Sequence, residues 1–487
     1  MKIRISYPPL ESTLGIPLLS QNRQFQWFSD PTYIYPIVPA YAATLLSNDG
    51  HKVIWDDAIA EEKSYQAWFH DIEHNNFDLM MIETKTPVVK RHWNIINDLK
   101  QIKPDVKFVL VGDHVTALPG ESMDNCEVDF VLTGGDYDFL LQNLIRYLND
   151  EVKTTEPGIW YRKNGVIKTS GPFISNHDLN LLPNIDRTLT KWHLYAEKNG
   201  NYKITPGTYT MVGRDCWWRY KGGCTFCSWP TLYPTYRVRT AESLVSEVGT
   251  LIEDFNVKEI FDDTGTFPVG KWLKTFCRLM IDEGYNEKIN FNINMRFGAL
   301  SSEDYSLLKK AGFRMLLFGL ESANQTTLDR LNKGTLINTV ANECKTAIEA
   351  KLEPHITVMI GYPWETRTEV NNTLQFSKML MQRGLVSTLQ STVIIPYPGT
   401  QLFDEAVANG WFEIDPTDYD NYHMKKPVLK TPDLSGDEIM ELCNETYKLF
   451  FSPNFILNSL KNIHSWKDFK YALKGVKKIL GHLNDFT

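Results

Sequence analysis

Three cysteines carry the most specific chemistry in this chain. Cys216, Cys224 and Cys227 lie in GRDCWWRYKGGCTFCSWP, directly after a predicted strand. Three thiolates on one loop suit a tetranuclear iron–sulfur cluster that leaves one iron open to another ligand. A structural zinc ion needs four ligands, and no histidine in the loop supplies the fourth. The Cys224–Cys227 pair alone would also be compatible with zinc or redox chemistry. A third cysteine at a strand end favours iron and sulfur. The other four, Cys126, Cys277, Cys344 and Cys443, are scattered through regular elements.

The elements that must position this loop form an α/β series from about 205 to 410. Strands are predicted at Thr208–Gly213, Lys258–Asp262, Ile289–Met295, Arg314–Leu320, His355–Ile360 and Ser391–Ile395. Between the first two, Leu244, Val245, Val248, Leu251, Ile252 and Phe255 fall on one helical face. Ser301 with Asp304 three residues on resembles a capping box. Six βα units closed by Pro396-Tyr397-Pro398-Gly399-Thr400 predict a partial (β/α)6 barrel, with its chemistry at the strand ends.

Residues 1–150 read as a separate α/β domain. Strands are predicted at Lys2–Tyr7, His51–Trp55, Phe77–Ile82, Val106–Val111 and Val128–Leu132, with helices over 38–47, 89–102 and 139–148. Near-continuous apolar runs such as FDLMMI indicate strands covered on both faces. This predicts a doubly wound, flavodoxin-like (Rossmann-type) parallel sheet whose ligands sit beyond the strand ends. Residues 151–204 read as a connecting linker with a small hairpin. Residues 411–487 read as a small helical C-terminal segment in which Leu460, Phe469, Leu473, Val476 and Leu480 accompany several lysines. That basic amphipathic end suits either contact with a membrane surface or acidic partner, or docking with a solvated face.

With these residues assembled, the chain resembles the cobalamin-binding radical S-adenosylmethionine (SAM) proteins over roughly residues 1–410. The resemblance implies that Cys216, Cys224 and Cys227 hold a [4Fe-4S] cluster, with SAM chelating the fourth iron. The family's usual cysteine spacing is three residues, then two; here it is seven, then two. Cys216-Trp217-Trp218 leading to Cys224-Thr225-Phe226-Cys227 instead resembles an extended-loop subset that includes peptide-methylating maturases. SAM contacts implied by the resemblance are Phe226, then Asp262 and Asp263 at the second strand end and Asn294 and Arg296 at the third. Glu321 and Ser322 follow in Gly319-Leu320-Glu321-Ser322, similar to the family's Gly-x-Glu-Ser, and Gly361 ends the fifth strand. A guanidinium at Arg296 can hold the SAM carboxylate by two hydrogen bonds. Asp262 and Asp263 equally suit loop capping.

The first 150 residues resemble the family's cobalamin-binding domain. Gly112-Asp113-His114-Val115-Thr116-Ala117-Leu118-Pro119 is similar to its Gly-Gly-x-His-Ala-Thr-Ala-Leu-Pro, with Asp113 replacing a glycine. Gly134-Gly135-Asp136 stands where Gly-Glu-Gly-Glu is usual. The cobalamin-contact residues implied are Tyr7, Pro8, Thr84, Thr86, Gly112, Asp113, His114, Gly134 and Gly135. No histidine follows the first strand, so His114 is assigned to the nucleotide-tail pocket and not to cobalt; a plain turn role is its alternative.

Composition bounds the rest. The 487 residues are 43% hydrophobic and 23% charged, with 51 basic and 59 acidic residues giving −8. No basic excess exists to neutralise phosphates, so nucleic acid is not expected as partner. No apolar run approaches the roughly 18 residues of a membrane span, and no signal peptide opens the chain. A cytoplasmic enzyme is expected, fed electrons by flavodoxin or ferredoxin and acting on a small-molecule, lipid or peptide substrate. The activity expected is radical methylation of an unactivated carbon with methylcobalamin. A cobalamin-dependent cyclase or ring-rearranging enzyme is the alternative, and a cobalamin- or zinc-binding regulator a distant one.

Overall fold

The structure is a computed structural model that describes residues 1–19, 25–453, 455–457, 473 and 475. Two sheets organise it. The first contains β1 (Lys2–Tyr7), β2 (Lys52–Asp57), β3 (Leu79–Thr84), β4 (Lys107–Gly112), β5 (Phe130–Leu132), β6 (Ile159–Lys163) and β7 (Val166–Thr169). Its order is β2-β1-β3-β4-β5-β6-β7. The first five are parallel, in the flavodoxin order expected, and β6 and β7 join antiparallel. All six β3 residues are buried, as its apolar run requires.

Helices α1 (Ile37–Asn48), α2 (Tyr65–His74), α3 (Val89–Ile102) and α4 (Tyr137–Leu148) flank this sheet. The β6–β7 hairpin turns at Asn164 and Gly165, both left-handed (φ 55° and 77°), the Asn-Gly chemistry that such turns need. The hairpin predicted within the connecting segment therefore extends the first sheet.

The second sheet runs in chain order: β8 (Gly207–Thr210), β9 (Glu259–Asp262), β10 (Asn290–Met295), β11 (Phe313–Glu321), β12 (Glu353–Ile360) and β13 (Thr388–Val393). Every pair is parallel, and β13 does not pair with β8, so the barrel is partial. Its helices are α5 (Ala241–Glu253), α6 (Lys271–Asp282), α7 (Ser302–Lys310), α8 (Ile337–Glu349), α9 (Arg367–Gln382) and α10 (Gln401–Ala408). Ser301 and Asp304 form the expected capping box, worth about 1 kcal/mol. Helix α6 buries Leu273, Phe276, Cys277 and Met280. Phe276 packs on Phe291 and Phe313, with centroids 5.3 and 6.0 Å away. Each buried ring contributes roughly 1.5–3 kcal/mol.

Helix α11 (Gly436–Lys448) lies against β13, where the Tyr447 hydroxyl donates to Ser391 O (2.8 Å) and accepts from Ser391 N (3.2 Å). That contact satisfies backbone groups of an unpaired edge strand. The helical reading of 411–487 is corrected over 411–435, where only a short 3-10 turn (Tyr419–Asn421) and the isolated bridge Phe412–Leu429 occur. Pro416, Pro427 and Pro432 interrupt helix formation there. Leu460, Phe469, Val476 and Leu480 lie outside the described residues. Among those described, no helix is long and apolar enough to cross a membrane.

Candidate active site

The cysteine loop begins and ends on one ribbon. Gly213–Arg214 pairs antiparallel with Arg237–Val238, so residues 215–236 project from a closed base just beyond β8. Asp215 sits at φ 74°, nearly fully buried, and accepts from Arg219 Nε at 2.8 Å. Gly265, beyond β9, lets the loop press close: a Cβ there would lie 2.8 Å from Asp215 O and 3.1 Å from Cys216 Cβ.

All three thiols line one cavity of about 220 Å³. The four scattered cysteines are buried instead, and burial pushes their thiols up to about 12. Their chemistry is inert packing. Among the described residues, His70, Glu73 and His74 are the only three potential ligands with donor atoms all within 4.8 Å. Cys216, Cys224 and Cys227 do not form such a group, so at least one pair of their sulfurs lies beyond 4.8 Å, wider than the ~3.8 Å edge of a tetrahedral zinc–thiolate site. The three share one cavity, an arrangement that suits a multi-iron cluster. Buried donors without partners flank them: Trp217 Nε1, next in sequence to Cys216, and Tyr236 Oη on the returning arm of the loop. Cys216 Sγ lies 2.9 Å from Thr266 Oγ1 and Cys224 Sγ 3.5 Å from Arg296 Nη1.

The barrel strand ends supply the other walls. Phe226, Asp263, Asn294, Arg296 and Glu321 line the same cavity as the thiols. Glu321 is a left-handed residue (φ 69°) whose carboxylate pairs with Lys333 Nζ at 2.5 Å. Gly319 leaves room for the pair as it stands: a Cβ there would lie 2.6 Å from Lys333 Nζ and overlap the Glu321 carboxylate, so the ion pair would have to shift. Asn294 donates to Thr264 O at 3.1 Å.

Asp262, Ser322 and Gly361 do not line the cavity. Asp262 is fully buried and accepts from Thr210 Oγ1 (2.8 Å), Val212 N (2.9 Å) and Thr264 N (3.1 Å), which ties β8 to β9. Burial raises its pKa. Ser322 donates to Glu365 at 2.8 Å, and Gly361 (φ 90°) packs against Ile439. Thr266, Lys333 and Trp218 line the cavity but were not singled out from sequence. Only Asn332-Lys333-Gly334, a turn signal, marked one of them.

The nine first-sheet candidates lie outside this cavity, and the chain's own side chains engage most of them. Tyr7 and Tyr137 both donate to buried Glu83, the latter at 2.9 Å. Pro8 is buried. Thr84 Oγ1 meets His92 Nδ1 at 2.7 Å, and Lys85 pairs with Asp113 at 3.5 Å. His114 has no exposed surface: its nitrogens face Thr86 Oγ1 (3.3 Å) and Glu121 (3.2 Å), under the Tyr419 ring. A Cβ would overlap Thr84 O at Gly112, the Phe173 ring at Gly134 and the Tyr233 ring at Gly135.

Gly134-Gly135-Asp136 also seats the cysteine loop. Arg214 donates to Gly135 O (2.7 Å) and Asp138 (2.6 Å), and Gly135 N donates to Leu232 O (2.8 Å). Arg237 grips Asp136 with two bonds of 2.6 and 2.8 Å. His177 bridges Asp136 (2.9 Å) and Glu156 (2.8 Å). Burial opposes charge on both partners, yet the hydrogen bonds hold Asp136 down to about 2 and lift His177 to about 9.

Residues 211–377 match the radical SAM superfamily, so the chain carries a radical SAM domain. An uncharacterised methyltransferase of Pyrococcus horikoshii is 25% identical over 98% of both chains. The anaerobic magnesium-protoporphyrin IX monomethyl ester cyclase of Cereibacter sphaeroides is 23% identical over 81% of this chain and 63% of its own length. The radical S-adenosylmethionine methyltransferase TsrM of Kitasatospora setae, solved with cobalamin and a [4Fe-4S] cluster, has a similar fold. It gives a TM-score of 0.66 at 12% identity, over 93% of this chain and 89% of its own.

Proposed function

We propose that this chain, which carries a radical SAM domain, is a cobalamin-dependent radical SAM enzyme that methylates an unactivated carbon. The observation that carries the reading is the shared cavity. It brings Cys216, Cys224 and Cys227 together with Asp263, Asn294 and Glu321 from successive strand ends. Bound there, a [4Fe-4S] cluster and SAM supply a carbon radical able to remove hydrogen from an inert C–H bond.

The chain's residues define the surroundings. Cys216, Cys224 and Cys227 would hold the cluster, and three protein thiolates would leave room on it for SAM. Asp263, Asn294 and the Glu321–Lys333 pair form a polar wall suited to the ammonium and carboxylate of an amino acid. Tyr209, Phe261, Leu317 and Met359 form an apolar wall that keeps water from a reactive carbon. Glu321 is held by Lys333, so a ligand meets a preset carboxylate.

Cobalamin dependence rests on the flavodoxin-order sheet, whose strand ends face the barrel, and on relatives of the same organisation. Tyr7, Pro8, Thr84, Thr86, Gly112, Asp113, His114, Gly134 and Gly135, at the ends of those strands, are the residues proposed to border the cobalamin. The proposed partners are a small-molecule, lipid or peptide substrate and a low-potential donor such as flavodoxin or ferredoxin. A cyclase without net methyl transfer is the second reading, favoured by the cyclase among the relatives.

The test is anaerobic incubation of reduced protein with methyl-labelled SAM and cobalamin. 5′-Deoxyadenosine is expected, with label moving to product once substrate is present. Unlabelled product would favour cyclisation, and absence of 5′-deoxyadenosine would overturn the radical reading.

A further inference from the structure

The seven residues between Cys216 and Cys224 have a visible use. Trp218 lies against Arg296 on one side, with Arg296 Cζ 4.2 Å from its ring centre. Its indole donates to Asn332 O at 2.7 Å, and Gly334 leaves room that a Cβ would take from the ring. Arg296 Nη2 donates to Lys333 O, and Nη1 points at Cys224 Sγ, 3.5 Å away. Arg296 is only 5% exposed. The guanidinium is thus fixed by the Trp218 ring and a carbonyl, with Nη1 directed at the thiolate.

We propose that Arg296 is a positioning residue for electron transfer: it donates to the Cys224 sulfur and sets the reduction potential of the cluster, and is not primarily the clamp for the SAM carboxylate. This rests on the cluster reading above. A reduced cluster carries one more negative charge than an oxidised one. A buried cation and an N–H···S bond at its edge therefore favour reduction and raise the potential. The Thr266 hydroxyl, 2.9 Å from Cys216 Sγ, acts in the same direction without charge. The extended loop supplies the indole that holds the guanidinium in place, which a loop lacking Trp218 would not do.

The test is an EPR-monitored redox titration of reconstituted protein without SAM, alongside iron content and SAM binding. Arg296→Gln is expected to keep its iron, move the midpoint to more negative potential and alter the EPR g-values. Arg296→Lys should fall between, since it keeps the charge but loses the stacked plane. Should Arg296→Gln lose iron, Arg296→Lys and Trp218→Phe carry the same titration, the latter loosening the guanidinium by losing the Asn332 bond. An unchanged SAM-free midpoint in these variants, with weakened SAM binding, would overturn the proposal and return Arg296 to the carboxylate. Wild-type protein that binds no iron would overturn the cluster reading itself, a separate failure.

Discussion

Arg214, two residues before Cys216, donates to Asp138 at 2.6 Å, and both side chains are almost completely buried. The bond joins the base of the cysteine loop to the first turn of α4, so the first sheet fixes where the thiols sit. Beside it, Arg237 from the other arm of the loop holds Asp136.

Breaking that grip should therefore reach the metal centre. Asp136→Ala leaves the half-buried Arg237 without its carboxylate and His177 with Glu156 alone, a loss of about 1.5–3 kcal/mol for charge-assisted hydrogen bonds. Urea unfolding should show that loss, and iron per chain should fall. Unchanged iron retention would mean the loop holds its shape without the seat.

The same cluster predicts a pH dependence. His177 has its folded pKa raised to about 9 from an ordinary 6.5, so its contribution is complete below about pH 6.5 and is lost as pH rises through 9. Asp136, lowered to about 2, contributes above its ordinary value near 4 and loses that as pH falls toward 2. Stability followed between pH 6 and 10 should decline in wild type, with that decline reduced in His177→Gln.

Packing at Gly135 gives a third expectation. A Cβ there overlaps the Tyr233 ring, so Gly135→Ala should cost about 1–3 kcal/mol by overpacking. Adding Tyr233→Ala removes the obstructing ring, so the double variant should be more stable than the two separate costs imply. Simple additivity would show that the two residues do not press on each other.

At the barrel, Lys333→Met should strand Glu321 as a buried charge, weakening SAM binding and destabilising the fold. Glu321→Gln together with Lys333→Met should recover stability but not SAM binding. Recovery of both, measured by calorimetry, would assign the pair to structure alone.

How legible this was in sequence depended on the range of the interactions. The six barrel strands and the cysteine loop were visible because apolar runs, helical spacing and thiol count are local. Asp262 and Asp263 show the first limit. Adjacent strand residues face opposite ways, and composition does not say which faces the cavity. Asp262 turns into the β8–β9 seam, while Asp263 lines the site. Gly134 and Gly135 show the second. Their need for glycine comes partly from Phe173 and Tyr233, about 40 and 100 residues away, so the packing that also seats the cysteine loop at this motif is not visible locally. The helical expectation for 411–487 rested on apolar residues between 460 and 480, and over 411–435 Pro416, Pro427 and Pro432 argue against it.

Metal content of anaerobically purified protein from cobalamin-supplied cells tests the central claim most directly. About four irons per chain, lost in Cys224→Ala and Cys227→Ala but kept in Cys277→Ala, is the result the account predicts. Near-stoichiometric cobalt should accompany the iron and survive the cysteine substitutions. Zinc in place of iron, or iron indifferent to Cys224 and Cys227, would contradict it.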